Sequence, residues 1–179
     1  MSTLQPDHAL VIRSFVIPNL KAEHPITRRV VEAVPADKVD YRPDGIVKSA
    51  IDLAWHIVGA EHRFLDAVVT GAFDFTNTGR PEGVKTPADI GAWYADTFAR
   101  DVERLQALGG DQLVKLIDFR GIFNLPAVAY IQIGLNHSIH HRGQLSMYLR
   151  PMGAKVPAIY GESYDTAQAK AAAAPAAAR

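Results

Sequence analysis

Two histidines late in the chain, His137 and His141, stand four residues apart in a segment with helical character. On an α-helix this spacing places both imidazoles on one face, one turn apart, where they can bind the same metal ion. Two imidazoles seldom complete a site, and His56, in an apolar helical segment far upstream, is the best candidate for a third ligand. His140 points away from the stripe that the pair shares. The sequence therefore predicts a metal site formed by His56, His137 and His141.

The chemistry of such a site follows from its donor atoms. The chain has no cysteine, so a thiolate ligand is excluded and three imidazole nitrogens form a borderline site. Zinc or nickel suits it best, while iron, cobalt and manganese stay open because spacing does not select the metal. Three protein ligands leave a coordination position for water or substrate, as in catalytic sites. Bound zinc would lower the pKa of its water to about 7, polarise a carbonyl, or bind a thiolate.

Four side chains on the ligand stripes are candidates to orient an imidazole or to touch a substrate. Asp52 and Arg63 lie on the stripe of His56, whereas Gln144 and Tyr148 continue the stripe of the later pair. The alternative interpretation is a buried polar bond for Asp52 and a surface charge for Arg63. No catalytic residue is assigned beyond these four candidates.

The remaining histidines, charged residues and tryptophans are expected to have structural or surface roles. His62 lies six residues after His56 and faces elsewhere, which favours a surface position. Trp55 and Trp93 are predicted to be core aromatics. Solvated, structural or internally paired positions are expected for His8, His24, Glu61 and Arg142.

Four helical segments account for most of the sequence. The first covers about residues 9–34, where Pro18 and Pro25 allow either two short helices or one bent helix. The second covers residues 51–69 after a Ser49 cap. Thr86 caps a third that ends near residue 108.

The connections and the last helix complete the pattern. Residues 71–85 form a linker long enough to cross a small bundle from end to end, and residues 113–119 look extended. Asn124 is expected to cap a fourth helix that runs to residue 149. The chain is predicted to be an all-α four-helix bundle in one domain, residues 1–165. A low-complexity tail follows at 166–179, where nine of the last thirteen residues are alanine.

The charge balance excludes several classes of partner. Lys and Arg number 19, Asp and Glu also number 19, and the formal net charge is zero, so neither nucleic acid nor an anionic membrane is expected to bind. The first residues lack the pattern of a signal peptide, and the apolar run at residues 9–12 is too short to cross a bilayer. We expect a soluble, cytoplasmic protein that acts on a small molecule.

Several short motifs occur in a characteristic order along the chain. They are Val-Asp-Tyr-Arg-Pro at 39–43, Leu-Ala-Trp-His-Ile at 53–57, the histidine-rich stretch 137–144, and Gly-Ala-Lys-Val-Pro at 153–157. In these motifs the chain resembles the DinB/YfiT-like proteins over roughly residues 10–165. The resemblance implies a four-helix bundle with a long crossover, often a homodimer. It also implies a divalent metal held at positions that match His56, His137 and His141.

Three functions are consistent with these features. Thiol-dependent isomerases and S-transferases among the relatives imply a metal-dependent enzyme that acts with a low-molecular-weight thiol. A hydrolase that uses metal-bound hydroxide is the second, with Asp52 as the only acid well placed for a general base. The third is a non-catalytic, stress-related protein that binds a metal or a small ligand.

Overall fold

Long helices dominate the computed structural model, which describes residues 4–173. The elements are α1 Pro6–Glu32, α2 Ala50–Thr70, α3 Pro87–Ala107, α4 Gly110–Leu113, β1 Leu116–Phe119, β2 Phe123–Pro126, α5 Ala127–Leu149 and α6 Tyr164–Ala173. The predicted all-α class is confirmed, with one small hairpin added between the third and fourth long helices.

The four long helices form a bundle in which sequence order differs from spatial order. Both α1 and α2 pack against α3 and against α5. Consecutive helices α1 and α2 therefore lie on a diagonal, and residues 33–49 form the crossover that joins them. The linker at 71–86, by contrast, joins α2 and α3, which pack against each other. The length of a connection therefore does not show whether the two helices that it joins are neighbours.

The first helix is continuous through both of its prolines. Pro18 and Pro25 lie on the exposed face of α1, so the missing backbone donors fall on the side of the helix that faces solvent. The opposite face is buried over its whole length and holds the helix on the bundle. That face comprises Ala9, Val16, Ile17, Leu20, Thr27, Val30 and Val31.

The ends of α2 and α3 agree with the sequence. The Ser49 side chain accepts a hydrogen bond from the backbone N–H of Asp52 at 3.3 Å, and Thr86 forms a capping box with Asp89. Gly71 ends α2 with φ 86°, a left-handed conformation that glycine adopts without strain.

The start of the last long helix is different from the prediction. Asn124 does not cap it, because residues 123–126 pair with β1 and Asn124 lies opposite Asp118 in this antiparallel ladder. Helix α5 begins at Ala127 instead. The Tyr130 hydroxyl donates to the Ile117 carbonyl at 2.8 Å, which fastens the hairpin to α5. The expected extended segment at 113–119 is thus confirmed in part as β1, whereas β2 was not foreseen.

Each long helix contributes fully buried aliphatic side chains to a common core. Leu20, Ile57, Ile90 and Ile131, one from each of the four helices, have no exposed surface. Burial of apolar surface is the main stabilising term in folding, so the bundle has a core that does not depend on its histidines.

The first part of the predicted low-complexity tail is helical. Tyr164–Ala173 forms α6, which buries none of its residues, and the predicted boundary between 165 and 166 falls inside it. The rest of the alanine-rich tail, 174–179, lies outside the described residues. Among residues 4–173, every helix is too short or too polar to span a membrane.

Candidate metal centre

The three predicted ligands lie on two packed helices. His56 belongs to α2, whereas His137 and His141 belong to α5. Close approach of these helices depends on Gly134, one turn before His137, because a Cβ at this position would lie 2.8 Å from the Phe64 Cβ. The absence of a side chain at residue 134 therefore lets α5 approach α2 closely near the imidazoles.

The imidazoles converge as expected. One nitrogen from each ring lies within 4.8 Å of the others, and the ring centroids are 4.4–4.8 Å apart. The Nε2 atoms of His56 and His141 are 3.2 Å apart. Two nitrogens bound to one tetrahedral zinc ion at ordinary bond lengths would be about 3.3 Å apart. A hydrogen bond between two rings also fits this separation, but it does not account for the third ring beside them.

Burial keeps these imidazoles in the form that binds metals. Desolvation, followed by the charge of His141, lowers the pKa of His56 to about 4. Desolvation, followed by the charges of His141 and His56, lowers the pKa of His137 to about 3. Desolvation also lowers the pKa of His141. The rings are consequently neutral at pH 7, and each has a nitrogen lone pair for a cation.

Gln144 orients one of the ligands. Its Oε1 lies 2.6 Å from the Nδ1 of His141. An amide oxygen only accepts hydrogen bonds, so Nδ1 carries the proton and the Nε2 that faces His56 keeps its lone pair. The position of Gln144 is the one that the helical stripe predicts for a residue supporting a metal ligand.

A buried nitrogen adds to the argument that a ligand belongs here. The Nδ1 of His137 is buried and has no hydrogen-bond partner among the described residues. Such an atom is costly unless something satisfies it, and coordination is one way to satisfy an imidazole nitrogen. The donor set and its spacing therefore fit a divalent cation.

Three cavities adjoin the cluster. A polar cavity of 460 Å³ is lined by residues that include Arg42, Lys48, Asp52, Trp55, His56 and Arg63. An aromatic cavity of 220 Å³ is lined by His56, Arg63, Phe64, Phe73, Phe75, Phe119, Arg120 and His137, among others. An outer cavity of 550 Å³ is lined by residues that include Ile46, Lys48, His141, Gln144, Met147 and Tyr148. Each ligand histidine therefore borders a space that a small molecule can enter.

The other three candidate residues line these cavities, and in the described part of the chain none of them forms a hydrogen bond with a ligand histidine. Asp52 is exposed; its carboxylate accepts from the Ser49 hydroxyl and lies 3.9 Å from Arg42 and 3.8 Å from Arg80. The expected buried bond is thus wrong for Asp52. Arg63 is half-buried rather than on the open surface, and the Tyr148 hydroxyl donates to the Lys48 carbonyl at 3.4 Å.

Other expectations are corrected in the same region. His62 is not a plain surface residue, because its Nδ1 lies 2.7 Å from the carboxylate of buried Asp101. Trp55 and Trp93 are half-buried at a cavity rim rather than in the core, and the Trp55 indole donates to the Thr78 carbonyl at 3.0 Å.

Three cations that line the cavities were not predicted from the sequence. They are Arg42, Lys48 and Arg120, which lie in connections between helices or strands and have no periodic pattern.

The predicted structural roles of Glu61 and Arg142 agree with their contacts. Buried Glu61 accepts a hydrogen bond from the Tyr94 hydroxyl at 2.6 Å, and burial raises the pKa of its carboxyl to about 7. Arg142 is 1% exposed and donates to Glu23 at 2.6 Å and to Tyr160 at 2.8 Å. Neither residue lines the three cavities beside the histidines.

Known proteins are similar to this chain in sequence and in fold. A sequence model of the DinB family matches residues 17–174. The chain belongs to the DinB family. YjoA of Bacillus subtilis (strain 168) is 28% identical over 142 residues, 77% of this chain and 89% of YjoA. The crystal structure of that DinB-like protein has a TM-score of 0.68 at 25% identity, covering 82% of this chain and 99% of YjoA in the crystal.

A second DinB structure supports the fold alone. The crystal structure of a DinB-like protein from Bacillus cereus ATCC 10987 has a TM-score of 0.68 at 23% identity, covering 81% of this chain and 95% of the other. The resemblance stated from the sequence motifs is thus confirmed at the level of family and architecture.

Proposed function

We propose that this DinB protein is a divalent-metal-dependent enzyme that acts with a low-molecular-weight thiol, as an S-transferase or an isomerase. The observation that carries the proposal is the convergence of His56, His137 and His141 beside cavities large enough for small molecules. Zinc or nickel suits three neutral imidazoles best. A bound divalent ion would supply a Lewis acid that favours the thiolate form of an approaching thiol, which is the reactive nucleophile.

The charges around the cluster favour an anionic reactant. Arg42, Lys48 and Arg63 line the polar cavity, whereas Asp52 is the one carboxylate among the residues that line it. The whole chain has zero formal net charge, so this excess of cations is local. A cavity lined by one sign of charge attracts ligands of the other sign, and thiolates and thiols that carry carboxylates meet this requirement.

The hydrolase alternative has weaker support. It needs a general base near the attacking water, and Asp52 is the acid on the ligand stripe. The Asp52 carboxylate, however, is already engaged by Ser49, Arg42 and Arg80. These contacts leave it poorly available to accept a proton from water.

Cobalt substitution separates the candidate functions. The chain contains no cysteine, so a thiolate-to-cobalt charge-transfer band can arise only from an added thiol. We expect such a band when cobalt-loaded protein is titrated with cysteine or glutathione, and we expect it to be absent in the His141→Ala variant. The matched control His140→Ala, which alters the neighbouring exposed imidazole, should retain the band.

The other outcomes each contradict the thiol proposal. Turnover of a generic ester or amide without thiol, and no band with either thiol, would support the hydrolase. Tight cobalt retention with neither band nor turnover would leave a non-catalytic binding protein.

We also propose that the protein forms a homodimer. Val11 and Phe15 lie one turn apart on α1 and are 67% and 73% exposed, so this helix presents an apolar face for association. Equilibrium sedimentation at micromolar concentration should give twice the mass of the chain, and Phe15→Ser should shift the equilibrium towards the monomer. A wild-type protein that sediments as a monomer would refute the dimer.

A further inference from the structure

Two guanidinium groups meet at the aromatic cavity. The Arg120 guanidinium carbon lies 3.8 Å from the centre of the Phe75 ring, and that of Arg63 lies 5.9 Å from the same centre. Among residues 4–173, neither arginine has a carboxylate within 4.0 Å. Two positive charges that lie beside the same aromatic ring and have no ion-pair partner form a site that can bind an anion.

The environment of this pair increases its attraction for an anion. Burial, and then the charge of Arg120, lowers the pKa of Arg63, so the two cations repel one another across a partly dry space. The negative charge of Asp74 acts on Arg63, but the Asp74 carboxylate accepts hydrogen bonds from the backbone N–H and the hydroxyl of Thr76 at 2.8 and 2.7 Å. An anion bound between the guanidinium groups would relieve this repulsion.

The turn of the hairpin holds Arg120 at the cavity. Arg120 has φ 54°, a left-handed conformation that disfavours ordinary side chains, and Gly121 follows with φ 70°. Both carboxylate oxygens of Asp118 lie 3.1 Å from the Gly121 N–H, which fixes the turn. The hairpin therefore fixes the backbone of an arginine whose side chain borders two metal-ligand candidates, His56 and His137.

The rest of the wall is apolar and aromatic. Phe73 and Phe119 meet edge to face with centroids 4.9 Å apart, and Phe64 stacks on Phe119 at 5.8 Å. The cavity volume of 220 Å³ suits one flat ring with a short substituent rather than a large cofactor. Aromatic walls with two cations at one side match a flat apolar body that carries one negative group.

We propose that the aromatic cavity binds a small organic carboxylate with a flat apolar body. The carboxylate lies between Arg63 and Arg120, and the body packs against Phe64, Phe73 and Phe119, beside His56 and His137. The inference rests on the proposed function only for the role of this ligand as a substrate. Its binding depends on the arginines and does not require the metal.

Calorimetric titration with phenylacetate and its neutral isostere phenylacetamide tests this site in the full-length protein. Wild-type protein should bind phenylacetate at least about tenfold more tightly than phenylacetamide, because only the anion forms charge-assisted hydrogen bonds. Arg63→Gln and Arg120→Gln should each weaken phenylacetate binding about tenfold or more. The control Arg100→Gln removes an exposed cation that does not line the cavity, and it should bind like wild type.

Titration before and after metal removal separates this inference from the proposed function. Arginine-dependent phenylacetate binding that persists without metal supports the carboxylate site, even if the cobalt experiment fails. The proposal is wrong if both arginine variants bind phenylacetate as wild type does. It is also wrong if the wild-type protein binds the two probes equally, or shows no phenylacetate binding at millimolar concentration. The comparison of the two probes on wild-type protein decides the question even where a variant does not fold.

Discussion

Two groups of polar side chains interrupt the apolar core, and both use helix α5. The first group, the arginine network, consists of Arg142, Glu23 and Tyr160. Arg142 donates hydrogen bonds to Glu23 and Tyr160, which come from other parts of the chain. In the histidine cluster, three imidazoles face one another instead, and one buried nitrogen has no partner among the described residues. Arg142 and His141 are adjacent in sequence, but Arg142 is paired within the fold, whereas His141 belongs to a cluster in which one nitrogen lacks a partner within residues 4–173.

The difference shows how to tell a structural polar group from a binding group. Buried charges are tolerated when the fold itself supplies opposite charges and hydrogen bonds. The arginine network meets this condition with residues of the same chain. The histidine cluster leaves the Nδ1 of His137 without a partner among the described residues and borders three cavities, an arrangement that is compatible with a bound metal ion.

Breaking the arginine network should have the largest effect on stability. Arg142→Met leaves the Glu23 carboxylate without its partner, and we expect the free energy of unfolding to fall by about 3–5 kcal/mol, as for other broken buried pairs. Urea denaturation of metal-free protein measures this change. In the control Arg150→Met, the lost partner is Asp165 in a pair whose arginine is 52% exposed, and a change within about 1 kcal/mol is expected. Equal losses in the two variants would contradict the assigned difference.

Removing the support of one ligand should have an intermediate effect, on metal affinity rather than on folding. Gln144→Ala leaves His141 Nδ1 without its acceptor, and a loss of about 10–100-fold in zinc affinity is expected. Competition with a chromophoric chelator measures it. Gln132→Ala is the matched control, because Gln132 lies on the same helix and, in the described part of the chain, its side chain donates to Asn136 rather than to a ligand histidine. An unchanged zinc affinity in Gln144→Ala would show that this hydrogen bond does not support a ligand.

A third effect concerns the pH dependence of stability in the metal-free protein. Burial holds the pKa of His56 at about 4 and that of His137 at about 3, below the ordinary 6.5. Between these values and 6.5 the unfolded chain binds more protons, so the free energy of unfolding should decrease as pH falls from about 6.5 towards 4. Urea denaturation at successive pH values should show a shallower decrease for His137→Gln. His8→Gln alters an exposed imidazole on α1 and should keep the wild-type slope; identical slopes for all three proteins would refute the assignment.

Local signals in the sequence predicted most of the elements that carry the site. Spacing alone placed His137 and His141 on one face, and cap residues such as Ser49 and Thr86 located the helix starts. The pairing of His56 with the late histidines needed the further inference that facing helices of a bundle share a site.

What the sequence did not predict depends on contacts between distant segments. The strand β2 forms only because β1 is beside it, and this took Asn124 away from the helix start. The same hairpin brings Arg120 to the cavity, and the crossover at 33–49 brings Arg42 and Lys48. None of these residues has a periodic pattern, so their places follow from the fold rather than from their neighbours in sequence.

Elemental analysis of protein purified without an affinity tag tests the central claim most directly. We expect one divalent ion per chain in the wild type and in His140→Ala. We expect a near-complete loss of that ion in His137→Ala and in His141→Ala, with a lower melting temperature than that of the metal-loaded wild type. Metal content that is the same in all four proteins, or absent from the wild type even after zinc and nickel are supplied, would contradict it.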